Sequence, residues 1–157
     1  MGYLVKSTID GTVVTGTAIT ISDSKLIVAN SLTVGDILEV NYGFSKLVAT
    51  SNLGIRLYIN TSNSLTGAIQ LAIYTTAGGV LMAGCIGRIF YIKSAINTNS
   101  ITATVTQLNP DTTSLAANVN SSLNIDWTVS QYLIIALNNG AGIANNSFST
   151  FLLGLKR

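Results

Sequence analysis

Residues 36–44 read Asp-Ile-Leu-Glu-Val-Asn-Tyr-Gly-Phe, and their alternation decides the fold class. Successive side chains of a strand point to opposite faces, so Leu38, Val40, Tyr42 and Phe44 share one face while Glu39 and Asn41 share the other. That is a half-buried strand. The same period of two recurs outward from it. Ile55, Leu57 and Ile59 oppose Arg56, Tyr58 and Asn60, and Ile69, Leu71 and Ile73 form a third apolar series, with a hairpin through Thr61 to Gly67 joining the two. Gly78-Gly79 marks a turn into one or two strands over residues 80–93. Ile101, Ala103 and Val105 alternate with Ser100, Thr102, Thr104 and Thr106 until Asn109-Pro110-Asp111, where proline lacks the donor a ladder needs. Residues 114–122 read as a long polar loop, and Leu123, Ile125, Trp127 and Val129 then face away from Asn124, Asp126 and Thr128.

Eight to ten short strands without a helical period predict an all-β fold, an antiparallel β-sandwich of jelly-roll type. The first strand is expected near Gly11. Residues 1–10 are then an N-terminal attachment segment and residues 11–157 one jelly-roll domain.

Composition limits the chemistry. The chain has 157 residues, 48% hydrophobic but only 9% charged, and no histidine; an average soluble domain carries about 25% charged residues. Fifteen Asn, sixteen Ser and nineteen Thr must solvate the surface in place of ions. The net charge of +2 comes from scattered bases with no run able to neutralise neighbouring phosphates, so nucleic acid is not an expected partner. Cys85 is the only cysteine, which rules out an intrachain disulfide and a Cys/His zinc site. The start passes directly into polar Ser7, Thr8 and Asp10 without the apolar core of an export signal. The longest apolar stretch, Gly79 to Ile92, is interrupted by Arg88 and falls short of the roughly 20 residues a membrane helix needs, so no membrane insertion is expected.

Two late segments break the one-sided rule. Tyr132 to Leu137 is apolar throughout, and Phe151, Leu153 and Leu155 are opposed by Phe148 and Leu152. One face of each can meet the domain's own core; the other requires a second layer or another copy of the chain. Tyr132, Ile134, Phe148, Phe151 and Leu153 are therefore the candidate oligomer interface. Phe151→Asp is expected to yield monomer or aggregate.

The segment Ala29-Asn30-Ser31-Leu32-Thr33-Val34-Gly35-Asp36-Ile37-Leu38 resembles a signature of phage and prophage structural domains: Ala-Asn-Ser/Thr-Leu, two residues, Gly-Asp-x-Leu. Leu65-Thr66-Gly67-Ala68, Asn124-Ile125-Asp126-Trp127-Thr128 and Gln131-Tyr132-Leu133 are similar to later motifs of the same group. Members often carry proline before the Ala-Asn pair, where this chain has Val28. The resemblance implies a trimeric jelly roll of the tumour-necrosis-factor or C1q kind (TNF-like). It also implies a virion component made in the host cytoplasm and carried on the particle surface as a capsid decoration or fibre head, with other virion proteins as partners. Host-receptor or carbohydrate binding is the alternative, with a host-surface glycan as partner.

No catalytic, metal-ligating or cofactor-binding residues are expected. Asp126-Trp127 has the pairing of a sugar site, but neighbours in a strand point oppositely, which sends Trp127 to the core and Asp126 to solvent. Asp36 and Glu39 likewise fall on opposite faces, against a shared calcium ion. Arg56, Arg88 and Lys93 interrupt apolar strands, as outer-face charges or as partners of an acid on another chain. Ser, Thr and Lys are plentiful, yet no nucleophile with a positioned base is identifiable.

Overall fold

In the computed structural model the alternating segments become β1 (Gly2–Lys6), β2 (Thr20–Ile27), β3 (Ile37–Lys46), β4 (Leu53–Asn60), β5 (Ile69–Thr75), β6 (Met82–Ile92), β7 (Ser100–Gln107), β8 (Ser122–Asn124), β9 (Gln131–Asn139) and β10 (Ser147–Lys156). The structure describes residues 2–6, 11–47, 51–79, 81–93, 100–107, 122–140 and 147–156. For β1, β7, β10 and residues 82, 85, 89 and 122 it describes the backbone alone. All strand pairs are antiparallel, in a six-stranded sheet β1-β10-β3-β6-β7-β8 and a four-stranded sheet β2-β9-β4-β5. The chain is an all-β antiparallel sandwich.

β3 shows why. Over its ten residues burial alternates without a break, and Leu38, Val40, Tyr42 and Phe44 turn inward as their spacing predicts. Across the sandwich Ile55, Leu57 and Ile59 of β4 and Leu133, Ile135 and Leu137 of β9 complete the core. Each such side chain contributes about 1.5–3 kcal/mol on burial. Phe44 and Tyr74 meet at 5.7 Å between ring centroids, tilted by 48°. Trp127 is buried in this core while Asp126 stays half exposed.

The segment from Ala29 to Asp36 is a stitched corner. Asn30 takes a left-handed conformation, φ +59°, and Gly35 one of +94°. The Asn30 N–H donates to the Trp127 carbonyl (2.8 Å) and the Ala29 N–H to Ser130 Oγ (3.1 Å). Gly35 N–H donates to Ile92 O, and Ile92 N–H returns to Asp36 O. Buried Asp36 accepts from the Thr33 N–H (2.8 Å) and hydroxyl (3.1 Å). At the turn's entrance, where proline would stiffen the chain, Ser31 donates through its N–H and Oγ to the Val28 carbonyl instead.

Several elements depart from the sequence reading. Gly2–Lys6 is a strand, pairing with β10, so strand structure begins before Gly11. In β5 the ladder slips between Leu57 and Tyr58, passing over Leu71. The slip buries Leu71 and Tyr74, leaves Ile73 half buried and keeps Ile69 at the surface. β8 stops at Asn124, because Asp126 Oδ1 accepts from both the N–H and the hydroxyl of Thr128 and closes a turn there. Val129 is consequently exposed rather than aligned with Trp127. Arg88 points inward, opposite Val40. An outer-face position was one of the two expected for it.

Candidate functional site

The residues expected at an oligomer interface divide between the sheets. Tyr132 and Ile134 lie in β9, at the centre of the four-stranded sheet; Phe148, Phe151 and Leu153 lie in β10, opposite Ser45, Tyr42 and Val40 of β3. The side chains of the β10 residues lie outside the described part of the structure. β9 is buried on both faces, as its continuous apolar run suggests: Leu133, Ile135 and Leu137 enter the core, and Ile134 and Ala136 are fully covered on the outer face. Tyr132 is half exposed.

Register defines that outer face. Tyr58 of β4, Ile134 of β9 and Ser24 of β2 form one row, Asn60, Tyr132 and Leu26 a second, and Arg56, Ala136 and Ile21 a third. Gln70, Ile73 and Thr75 of β5 flank Tyr58, Arg56 and Gly54. Ile134 and Ala136, both fully covered, thus stand between larger residues in their rows and along their strand, two of them tyrosines. None of these positions carries an acid.

Arg56 is the only charge among these positions, and its placement is specific. Its Nη1 donates to Asn138 Oδ1. Opposite Asn138 stands Gly54, where a Cβ would come within 2.8 Å of Arg56 Nη1 and closer still to the Asn138 oxygen. A glycine inside a strand costs stability and marks a close approach. Here the approach is that of the guanidinium, which crosses the strand because nothing projects from Gly54. The alternation of Ile55, Leu57 and Ile59 put Arg56 on the outer face but could not reveal its partner, which lies 82 residues away in sequence. Gly54, the one break in that strand's pattern, was the available signal.

Other polar groups serve the fold. The Thr128 hydrogen bonds hold the Asp126 carboxyl below the usual carboxylate range. Buried Lys46 donates to the Ala77 carbonyl at 2.8 Å, and desolvation lowers its affinity for a proton. Beside it Ser45, Leu47, Leu81 and Ala83 line a shallow depression of about 320 Å³. Among the described residues no three His, Cys, Asp or Glu gather in a metal-binding group, and no helix is long and apolar enough to cross a membrane. Asp36 and Glu39 have separate partners, Thr33 and Asn41.

Searches of protein-family models, curated proteins and solved structures find no match to this chain.

Proposed function

We propose that the chain is a structural protein of a bacteriophage particle, a jelly-roll domain assembled as a homotrimer and displayed on the particle surface as a capsid decoration or fibre head. The observation that carries this reading is the nesting of strand pairs. β4 pairs with β5, β3 with β6, β2 with β9 and β1 with β10. A long two-stranded ribbon rolled upon itself has this order, which supports a jelly roll within the sandwich class. The corner from Ala29 to Asp36, whose sequence resembles phage structural domains, docks onto the turn after Asn124, which carries a second segment of the same resemblance.

Two measurements test the proposal. Sedimentation equilibrium is expected to return three times the chain mass of 16.4 kDa, and electron microscopy of labelled particles is expected to place the protein on their surface. A monodisperse single chain, or particles without the label, contradicts it.

A further inference from the structure

We propose that the outer face of the four-stranded sheet binds a carboxylate-bearing glycan, with Arg56 taking the carboxylate and Tyr58 and Tyr132 the sugar rings. The proposal goes beyond the particle role and stands without it.

Three features carry it. First, the guanidinium is positioned in advance: Asn138 Oδ1 holds Nη1, and the missing Cβ at Gly54 leaves the space it occupies. One contact of this kind leaves most of the five guanidinium N–H donors for a ligand, and a planar fork matches a carboxylate by two parallel bonds. Second, the charge of the face is unbalanced. Arg56 is half exposed, no acid occupies a described position around it, and the ion pair of the described residues, Lys25 with Asp23, belongs elsewhere. A single cation suits a ligand with isolated negative charges; a dense polyphosphate would call for several. Third, Tyr58 lies two positions along β4, roughly 6.5 Å from Arg56, and Tyr132 lies diagonally across on β9. Both are half-buried, and the covered Ile134 and half-buried Asn60 hold the other two corners of the square they span. An aromatic ring offers a sugar its apolar face, while Ser24 and Gln70 at the margins offer hydroxyl and amide groups to sugar hydroxyls.

The test titrates the full-length protein calorimetrically with trigalacturonic acid and with 3′-sialyllactose, each against its uncharged counterpart, carboxyl-reduced trigalacturonic acid or lactose. At least one acidic probe is expected to bind about tenfold or more tighter than its counterpart. Arg56→Gln should abolish that preference. Asn138→Ala, which keeps the charge but frees the guanidinium, should reduce it part-way. Circular dichroism and sedimentation of each variant are expected to match the parent. Equal binding of acidic and uncharged probes, no binding of either acid, or an undiminished preference in Arg56→Gln overturns the proposal. So does a changed sedimentation mass in Arg56→Gln, which would assign Arg56 to a contact between copies.

Discussion

Replacing Arg88 by methionine should stabilise this protein, against the usual direction of core mutations. Arg88 stands in β6 opposite Val40 and diagonal to Tyr42, with 1% of its surface exposed. Nη1 donates to the Gly87 carbonyl at 3.1 Å, and Nε has no acceptor. Burial lowers the pKa of the guanidinium, and Tyr42 opposes part of that shift. Methionine keeps the length and most of the apolar stem, so the packing contribution nearly cancels. The substitution loses one hydrogen bond from a charged donor, about 1.5–3 kcal/mol. It also relieves an unsatisfied buried donor, about 1–3 kcal/mol, and a desolvated charge costing several kcal/mol. The balance is a gain of about 1–3 kcal/mol, or roughly 2–10 °C in Tm for a chain of this size. Urea titration with an unchanged m-value, together with calorimetry at neutral pH, reads this directly. A loss of more than about 1 kcal/mol would refute the reasoning, because the single bond from Nη1 to Gly87 would then outweigh the unpaired Nε and the desolvated charge.

Three further outcomes follow from the geometry. The Lys46 pKa is lowered by burial, so below its unfolded value of about 10.4 the unfolded chain binds the proton more readily. Stability should therefore climb as pH rises through the folded pKa toward that value, and Lys46→Met should flatten the climb in urea midpoints measured from pH 7 to 10; parallel slopes would contradict this. Asp126 has its pKa lowered by Thr128, so its contribution is present above about pH 3.9 and is lost as pH falls through the folded value. Thr128→Val should move acid unfolding, and the carboxyl resonance of Asp126, to higher pH; an unmoved titration would count against the turn. At Gly35, φ is +94° with nothing within 4 Å of an added Cβ. Gly35→Ala should then cost about 1–2 kcal/mol of backbone strain alone, and a neutral result in urea would place the turn elsewhere.

Much of the sandwich was legible because its strands are one-sided. Leu38 to Phe44 and Ile55 to Ile59 announce their inner face by alternation, and the turns at Gly67 and Gly79 fall where glycine must take positive φ. What was not legible depends on contacts remote in sequence or on local hydrogen bonds that compete with the ladder. The slip at Leu71 depends on how β5 lies against β4, and a one-residue slip reverses which apolar side chain is exposed. Asp126 closes its turn with a local hydrogen bond that competes with the ladder, so an alternating stretch ends early. Arg88 follows its strand's parity inward although charge argues for the outside. Of the outer face, Arg56 and Tyr58 could be placed from the pattern, but the Asn138 contact that positions the guanidinium could not.

The scarcity of charge also bears on how copies of this chain would meet. Sheet edges offer unpaired N–H and C=O groups to any passing strand, and lysines commonly guard them. Here the described edge strands rely on shape. β1 is irregular between Gly2 and Val5, β2 between Ile21 and Asp23, and the ladder of β5 slips at Leu71, while β8 is three residues long. The β2 irregularity at Ser22 is further covered where its hydroxyl donates to the Thr12 carbonyl (2.9 Å) and the Thr12 N–H donates to the Ser22 carbonyl (2.7 Å). Asp23 and Lys25 pair at 2.8 Å opposite the core residues Ile135 and Leu133, an inward ion pair that also disfavours strand addition. With its edges twisted, shortened or covered, a chain this poor in charge has its sheet faces left for recognition. In the assembly proposed here, copies would therefore join through side chains outside the Arg56 site and leave the backbone ladders closed.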